Sequence, residues 1–217
     1  MRKLDRGSAP VPVCLQNVPA GRRFGQLGRP EKDEIRDALH AIQVARCAYC
    51  ERRTATDAGD GHIEHFRCQA DHPQLDLTWS NLYWSCNDET SCGKFKDGCV
   101  RAGGPRVKFN PDDLIDPTIE DPDDYLLFVT DGSVQVKDGL GDGAASRARE
   151  TLRVFNLAQS AYLRRAREDA VQPYVKTLTW IVQNAPQHLT AYVDSELPSI
   201  ADVPFSAAVR HFFRDYI

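Results

Sequence analysis

The 217-residue sequence carries 27 Lys and Arg against 31 Asp and Glu, a formal net charge of −4 with a pI of about 5.9. That balance excludes a uniformly basic coat protein for nucleic acid and leaves a local basic face open. Hydrophobic residues make up 41% of the chain, enough for a folded core, and no run of 18 apolar residues is present, which excludes a membrane-spanning helix. The first sixteen residues are basic but lack the apolar stretch of a secretory signal, so a cytoplasmic location is expected. In such a reducing compartment seven cysteines, an odd number with one close pair, suggest metal rather than disulfides.

In chain order, residues 1–30 are rich in Pro, Gly and Arg, with six basic residues against Asp5, and read as an extended arm lying on other elements. Pro30 followed by Glu31, Asp33 and Glu34 marks a helix start, and Ile35, Leu39 and Ile42 recur at helical spacing, so residues 31–45 are expected to form an amphipathic helix. Residues 62–67 and 81–85 are short strand candidates, and a helical turn is expected from Cys92 to about Val100, closed by Gly98, Gly103 and Gly104. Residues 111–124 hold seven acids, no base and three prolines and read as a linker against the domain. Residues 125–130 and 133–137 flank Asp131-Gly132, the signal of a hairpin with a type I′ turn. Beyond 143 the pattern is helical: a stretch from Ala144 to about Ala170 interrupted near Asn156, a new start at Pro173, and shorter helices over 189–195 and 205–215.

The chemistry is concentrated between Cys47 and Asp97. Cys47-x2-Cys50 places two thiolates on one turn, and Cys86 and Cys92, with five residues between them, can supply the other two ligands of a tetrahedral structural zinc. The remaining cysteines, Cys14, Cys68 and Cys99, read as ordinary thiols, with Cys68 the nearest substitute ligand. Between the cysteine pairs lies Glu64-His65. A carboxylate beside an imidazole can put an oxygen on a hard cation and a nitrogen on a water, the two needs of metal-assisted hydrolysis.

Cys47, Cys50, Glu64, His65, Asn81, Leu82, Cys86, Cys92 and Lys96, in that order, resemble the HNH, or ββα-metal, endonucleases. The resemblance implies Glu64 as ligand of a catalytic divalent ion, Mg²⁺ or another, His65 as general base and Asn81 as brace of the loop behind it. The family commonly places His or Asn directly after the last cysteine, where this chain has Gly93. Asp97, one turn further on, is therefore expected as the second metal ligand, with Asn87 or Asp88 as alternatives. Lys96 is assigned to the catalytic set as a phosphate contact, or else is a solvated helix residue. The phrases MRKLDR, CAYCE, IEHF, WSNL and ETLRVFNL extend the resemblance over nearly the whole chain, to the HNH subunit of Septu-type and retron-associated anti-phage systems. That subunit works with an ABC-like ATPase, which implies such a partner here.

Six arginines between 145 and 168 (Arg147, Arg149, Arg153, Arg164, Arg165 and Arg167), together with Arg22, Arg23 and Arg29, could track phosphates, meet an acidic partner or form solvated faces. Trp79, Tyr83 and Trp84 around Asn81 are expected mostly in the core. The fold expected is α+β and mainly helical. An arm and helix (1–45) lead to a zinc-stapled ββα-metal core (46–108), an acidic linker and hairpin (109–143), and a helical C-terminal region (144–217). The function expected is hydrolysis of phosphodiester bonds in DNA. The alternatives are a zinc-stabilised scaffold without catalysis, favoured by Gly93, and an HNH nuclease that cleaves RNA.

Overall fold

The computed structural model describes residues 1–55, 59–98 and 109–216. Cys99, Gly103 and Gly104 lie outside those residues. Among them the order is α1 (Arg29–Gln43), β1 (Gly61–His65), β2 (Leu82–Cys86), α2 (Cys92–Gly98), β3 (Leu126–Phe128), β4 (Val134–Val136), α3 (Asp142–Val154), α4 (Ala161–Asn184), α5 (Leu189–Ile200) and α6 (Ser206–Phe213), an α+β arrangement in which helix predominates.

The start of α1 is set by Pro30 in its first turn and by Glu31, whose carboxylate accepts from the Gly28 N–H at 2.9 Å. Ile35, Leu39 and Ile42 are buried as their spacing predicts. Gln43 joins the end of α1 to β2: its amide donates to the Trp84 carbonyl at 2.8 Å and its oxygen accepts the Trp84 N–H at 2.8 Å. The helix stops because Val44 and Ala45 both adopt left-handed backbone, turning the chain into the Cys47 loop.

Strands β1 and β2 pair antiparallel with Glu64 opposite Tyr83 and His62 opposite Ser85. Every residue of β2 is buried, with Leu82 and Trp84 packed with Ile35 and Leu39 of α1, and Tyr83 in the main core. That main core is one cluster reaching from Met1 and Leu4 through Tyr49, Phe155 and Leu163 to Phe213. The arm lies along it: the Leu4 N–H donates to the Pro117 carbonyl, and the Met1 amine sits 2.8 Å from the buried Glu51.

Two details of the C-terminal half differ from the reading of the sequence. In the β3–β4 hairpin only Gly132 has positive φ (78°), whereas a type I′ turn needs two such residues. The chain instead makes a three-residue loop: the Gly132 N–H donates to Val129 O, and Val129 N–H to Ser133 O. Gly is required at 132, because a Cβ there would fall onto the Arg164 carbonyl oxygen. Nor does a new helix begin at Pro173, since α4 runs through it for 24 residues. Buried Leu163, Arg167 and Val171 before the proline continue into Leu178 and Ile181 after it, so one buried stripe holds both halves despite the missing hydrogen bond. Asn156 interrupts the helical stretch as expected, with left-handed backbone (φ 48°) between α3 and α4.

The acidic linker packs onto the core, with Leu114 and Ile115 buried, and its acids meet dispersed arginines. Asp112 pairs with Arg67, Glu120 with Arg147, and Asp123 with Arg210 (2.7 Å) and Arg214 (2.8 Å). Asp123 is nearly buried, which alone would raise its carboxyl. The His211 imidazole and the Arg210 guanidinium, both on α6, overcome that and hold it at about 2. Because the folded value lies below the unfolded one, this stabilisation is present above about pH 4 and is lost as pH falls towards 2. Asp123→Asn is expected to cost about 2–3 kcal/mol at pH 7, with the gap to wild type closing in the acid range, measurable by urea unfolding at several pH values.

Candidate active site

Four sulfurs converge where the loop after α1, the end of β2 and the start of α2 meet. The Sγ atoms of Cys47, Cys50, Cys86 and Cys92 all lie within 4.8 Å of one another, and all four residues are buried. The Cys50–Cys86 separation is 3.9 Å. A tetrahedral zinc with bonds of about 2.3 Å has edges of about 3.8 Å, so the donor set fits that ion. Backbone bonds fix the turns: Glu51 N–H donates to Cys47 O, Ala48 N–H to Trp84 O and Cys92 N–H to Phe155 O. Burial raises the Cys47 thiol, yet the sulfurs of Cys50, Cys86 and Cys92 pointing at it hold it well below its usual value. Burial and the resulting charge push Cys92 well up. Four like-charged thiolates therefore need a cation to coexist. Cys68 lies outside the cluster, its thiol on Asp71 Oδ2 at 3.0 Å.

Beside this staple, β1 and α2 wall a cavity of about 170 Å³ lined by His62, Glu64, His65, Glu89, Lys94 and Asp97. Glu64 is 1% exposed and is held by Lys96 Nζ, 2.7 Å from its Oε1, and by His62 Nε2, 3.2 Å from its Oε2. Burial raises the Glu64 carboxyl, but the Lys96 and His62 partners bring it below its ordinary value. Asp97 is shifted the other way, upward, by burial and by the charge of Glu64.

Lys96 is not a solvated helix residue. Its ammonium is wholly buried, forms an ion pair with Glu64 (2.7 Å), and donates to Asp97 Oδ1 (2.8 Å) and to the His65 carbonyl (2.9 Å). Burial would lower its pKa, and the two carboxylates raise it instead. The lysine that lines the cavity is Lys94, two residues earlier and on another face of α2. Sequence reasoning passed over it, although the alternation of Lys94 and Lys96 in one helix is itself a sign that they face different surroundings.

His65 is nearly buried, with Phe24 of the arm edge-on to its ring at 4.9 Å. Its Nε2 lies 2.9 Å from the Asp76 backbone oxygen, which can only accept. The proton is therefore assigned to Nε2 and the lone pair to Nδ1. Burial lowers the imidazole's pKa, against the raising effect of Asp76 and Glu64. Asp76 is fixed in turn by the Phe24 N–H (2.7 Å) and by Gln69. Asn81 spans the loop that follows His65: its oxygen accepts the Arg67 N–H at 2.7 Å, and its amide donates to the carbonyls of Arg67 (3.0 Å) and Leu75 (3.2 Å).

Gly93 has a steric cause. A Cβ on it would lie 2.6 Å from Glu64 Cδ and Oε2, so the Glu64 carboxylate occupies the space in which a side chain at 93 would begin. Of the alternative ligands, Asp88 caps its own turn, accepting from Thr90 and Ser91, and Asn87 faces His62 at 3.0 Å. Among the arginines read as a phosphate track, Arg22 pairs with Glu31, Arg29 with Asp33, Arg147 with Glu120, Arg153 with Glu150, Arg164 with Asp131 and Arg165 with Asp169. Arg167 is buried, and Arg23 donates to the Pro73 carbonyl. Tyr83 and Trp84 are core residues as expected, and Trp79 packs partly buried beneath Arg6.

Fold and site together define a strand–strand–helix unit stapled by four cysteines, with an acid–histidine pair at the mouth of a small cavity. No protein-family model matches the chain. It is similar to the "Septu protein PtuB" of Bacillus thuringiensis, 27% identical over 128 residues, which is 58% of this chain and 46% of that protein. It is also similar to the "Retron Vc95 putative HNH endonuclease" of Vibrio cholerae serotype O1 biovar El Tor, 29% identical over 111 residues, or 48% of this chain and 47% of that one. The chain thus spans about half the length of these curated relatives.

Two outcomes are expected from this geometry. Cys50→Ser should lower zinc content in metal analysis and cost on the order of 3 kcal/mol or more, ~6–12 °C in Tm for a chain of this size. Gly93→Ala should cost about 1–3 kcal/mol by urea unfolding, because either Glu64 or α2 must move.

Proposed function

We propose that the chain is an HNH-type, metal-dependent endonuclease that hydrolyses phosphodiester bonds of DNA, as the effector of an anti-phage defence complex with an ABC-like ATPase. The observation that carries this reading is the pairing of Glu64 and His65 in one cavity, with His65 held through Nε2 so that Nδ1 is left basic. The defence role and the ATPase partner rest on the similarity to the Septu protein and to the retron-associated endonuclease.

Each residue then has a defined part. His65 Nδ1 takes a proton from the attacking water as the new O–P bond forms and one P–O ester bond breaks, and the departing oxygen leaves as a hydroxyl after protonation. Asn81 and Asp76 hold that imidazole, one by tying the loop behind it and the other by fixing its tautomer. Lys94, lining the cavity, is placed to meet a non-bridging phosphoryl oxygen. Glu64 and Asp97 are the carboxylates for a divalent cation, whose chemistry would be to offset charge on the phosphoryl group. Lys96, buried beside them, pairs with both carboxylates.

The competing reading, a zinc-stapled binding subunit without catalysis, draws on Glu64 being neutralised within the chain by Lys96. The test is nicking of supercoiled plasmid, with RNA in parallel, by the purified protein with Mg²⁺ or Mn²⁺, alone and with its ATPase partner plus nucleotide. His65→Ala is expected to lose about 10²–10⁴-fold in rate while keeping its zinc and its Tm. Equal cleavage by His65→Ala would remove the proposed base, and cleavage by neither protein in any combination favours the binding subunit.

A further inference from the structure

The position after Cys92 offers no ligand, since Glu64 itself fills the space at Gly93. A nitrogen donor nevertheless reaches the Glu64 carboxylate from the opposite direction. His62 stands two residues before Glu64 in β1, hence on the same face of the strand, and its Nε2 is 3.2 Å from Glu64 Oε2.

The tautomer of His62 follows from its other neighbour. Asn87 turns its amide nitrogen to the carbonyls of Gly59 (3.1 Å) and Gly61 (3.4 Å), so its oxygen is the atom facing His62 Nδ1 at 3.0 Å. An oxygen acceptor there requires Nδ1 to carry the hydrogen, which leaves the Nε2 lone pair directed at Oε2. His62 Nε2 and Glu64 Oε2 face one another at 3.2 Å. The spacing suits a metal: neighbouring ligands at about 2.1 Å in an octahedral shell lie roughly 3.0 Å apart. The opposite oxygen, Oε1, is engaged by Lys96, so Oε2 is the one left to share.

We propose that His62 Nε2 and Glu64 Oε2 jointly ligate the divalent ion, and that Asn87 is the positioning residue that fixes the His62 tautomer. This deepens the nuclease reading by naming the ligand that replaces the missing one at 93 and the class of ion it selects. An imidazole in the shell favours Mn²⁺, Co²⁺ or Ni²⁺ over Mg²⁺, which prefers oxygen alone. A histidine bonded through its far nitrogen to a fixed amide oxygen is the usual arrangement of a metal-ligating imidazole.

The experiment is ion binding by zinc-replete protein without nucleic acid. Free Mn²⁺ is read by EPR, Mg²⁺ is used as competitor, and pulsed EPR reads nitrogen coupling to the bound Mn²⁺. Wild type is expected to bind Mn²⁺ at least about 10-fold more tightly than Mg²⁺. His62→Gln should lose about 10-fold or more in Mn²⁺ affinity with little change for Mg²⁺, and Asn87→Ala about 10-fold in Mn²⁺ affinity. The nitrogen coupling should persist in His65→Ala and vanish in His62→Gln, and the wild-type and His65→Ala spectra need no change at 62. Wild-type Mn²⁺ affinity in a folded His62→Gln, or no nitrogen coupling in wild type, overturns the proposal. Because binding is read apart from cleavage, a His62-dependent ion without any nicking leaves the inference standing and removes the nuclease reading. Nicking that needs Glu64 but not His62 does the reverse.

Discussion

The candidate site hangs on the convergence of four cysteine sulfurs. They lie on three stretches: the loop leaving α1, the end of β2, and α2. Without a bond at this point α2 has seven residues, too few to persist as a helix on its own. Its first residue, Cys92, also has left-handed backbone (φ 59°), a conformation that a non-glycine residue keeps only when its surroundings impose it. The sulfur and the Cys92 N–H, bonded to Phe155 O at 2.8 Å, are those surroundings. Once α2 is anchored, Gly93 lies against Glu64 and Lys96 reaches both carboxylates and the His65 carbonyl. The chemistry of the cavity wall is thus a consequence of the staple.

Charge is organised by the same economy. The acidic linker pairs with arginines dispersed along the chain: Asp112 with Arg67, Glu120 with Arg147, Asp123 with Arg210 and Arg214. Exposed pairs of this kind contribute little each, whereas Asp123, nearly buried, ties the linker to α6. Most of the arginines that read as a phosphate track pair with acids at the surface, and among the described residues Lys94 is the lysine that lines the cavity.

The parts of the structure that were legible are those with local causes. Pro30 and the Ile35–Leu39–Ile42 spacing mark α1, the Cys47-x2-Cys50 turn marks the staple, and Asn156 marks the break between α3 and α4. The parts that were not legible depend on contacts distant in sequence. Whether Asp131-Gly132 makes a type I′ turn depends on α4, whose Arg164 carbonyl lies against Gly132. Whether Pro173 ends a helix depends on the buried stripe on either side of it. Lys94 and Lys96 look alike in sequence, and only the position of Glu64 on a strand some thirty residues earlier decides which of them is buried.

Gly93 shows why this distinction matters for function. Judged by sequence alone it is a vacancy, a place where a ligand is missing, and it weakens the case for an active metal site. In the fold it is filled space, because the shortest possible side chain would strike Glu64. A carboxylate pressed that closely on a helix backbone is fixed in direction by Lys96 on one oxygen and His62 on the other. Burying a carboxylate so completely is costly unless its charge is used or compensated. Lys96 compensates one face of it. The other oxygen faces the His62 imidazole, whose far nitrogen lies 3.0 Å from the Asn87 oxygen. A glycine at 93 is the condition for that placement of Glu64.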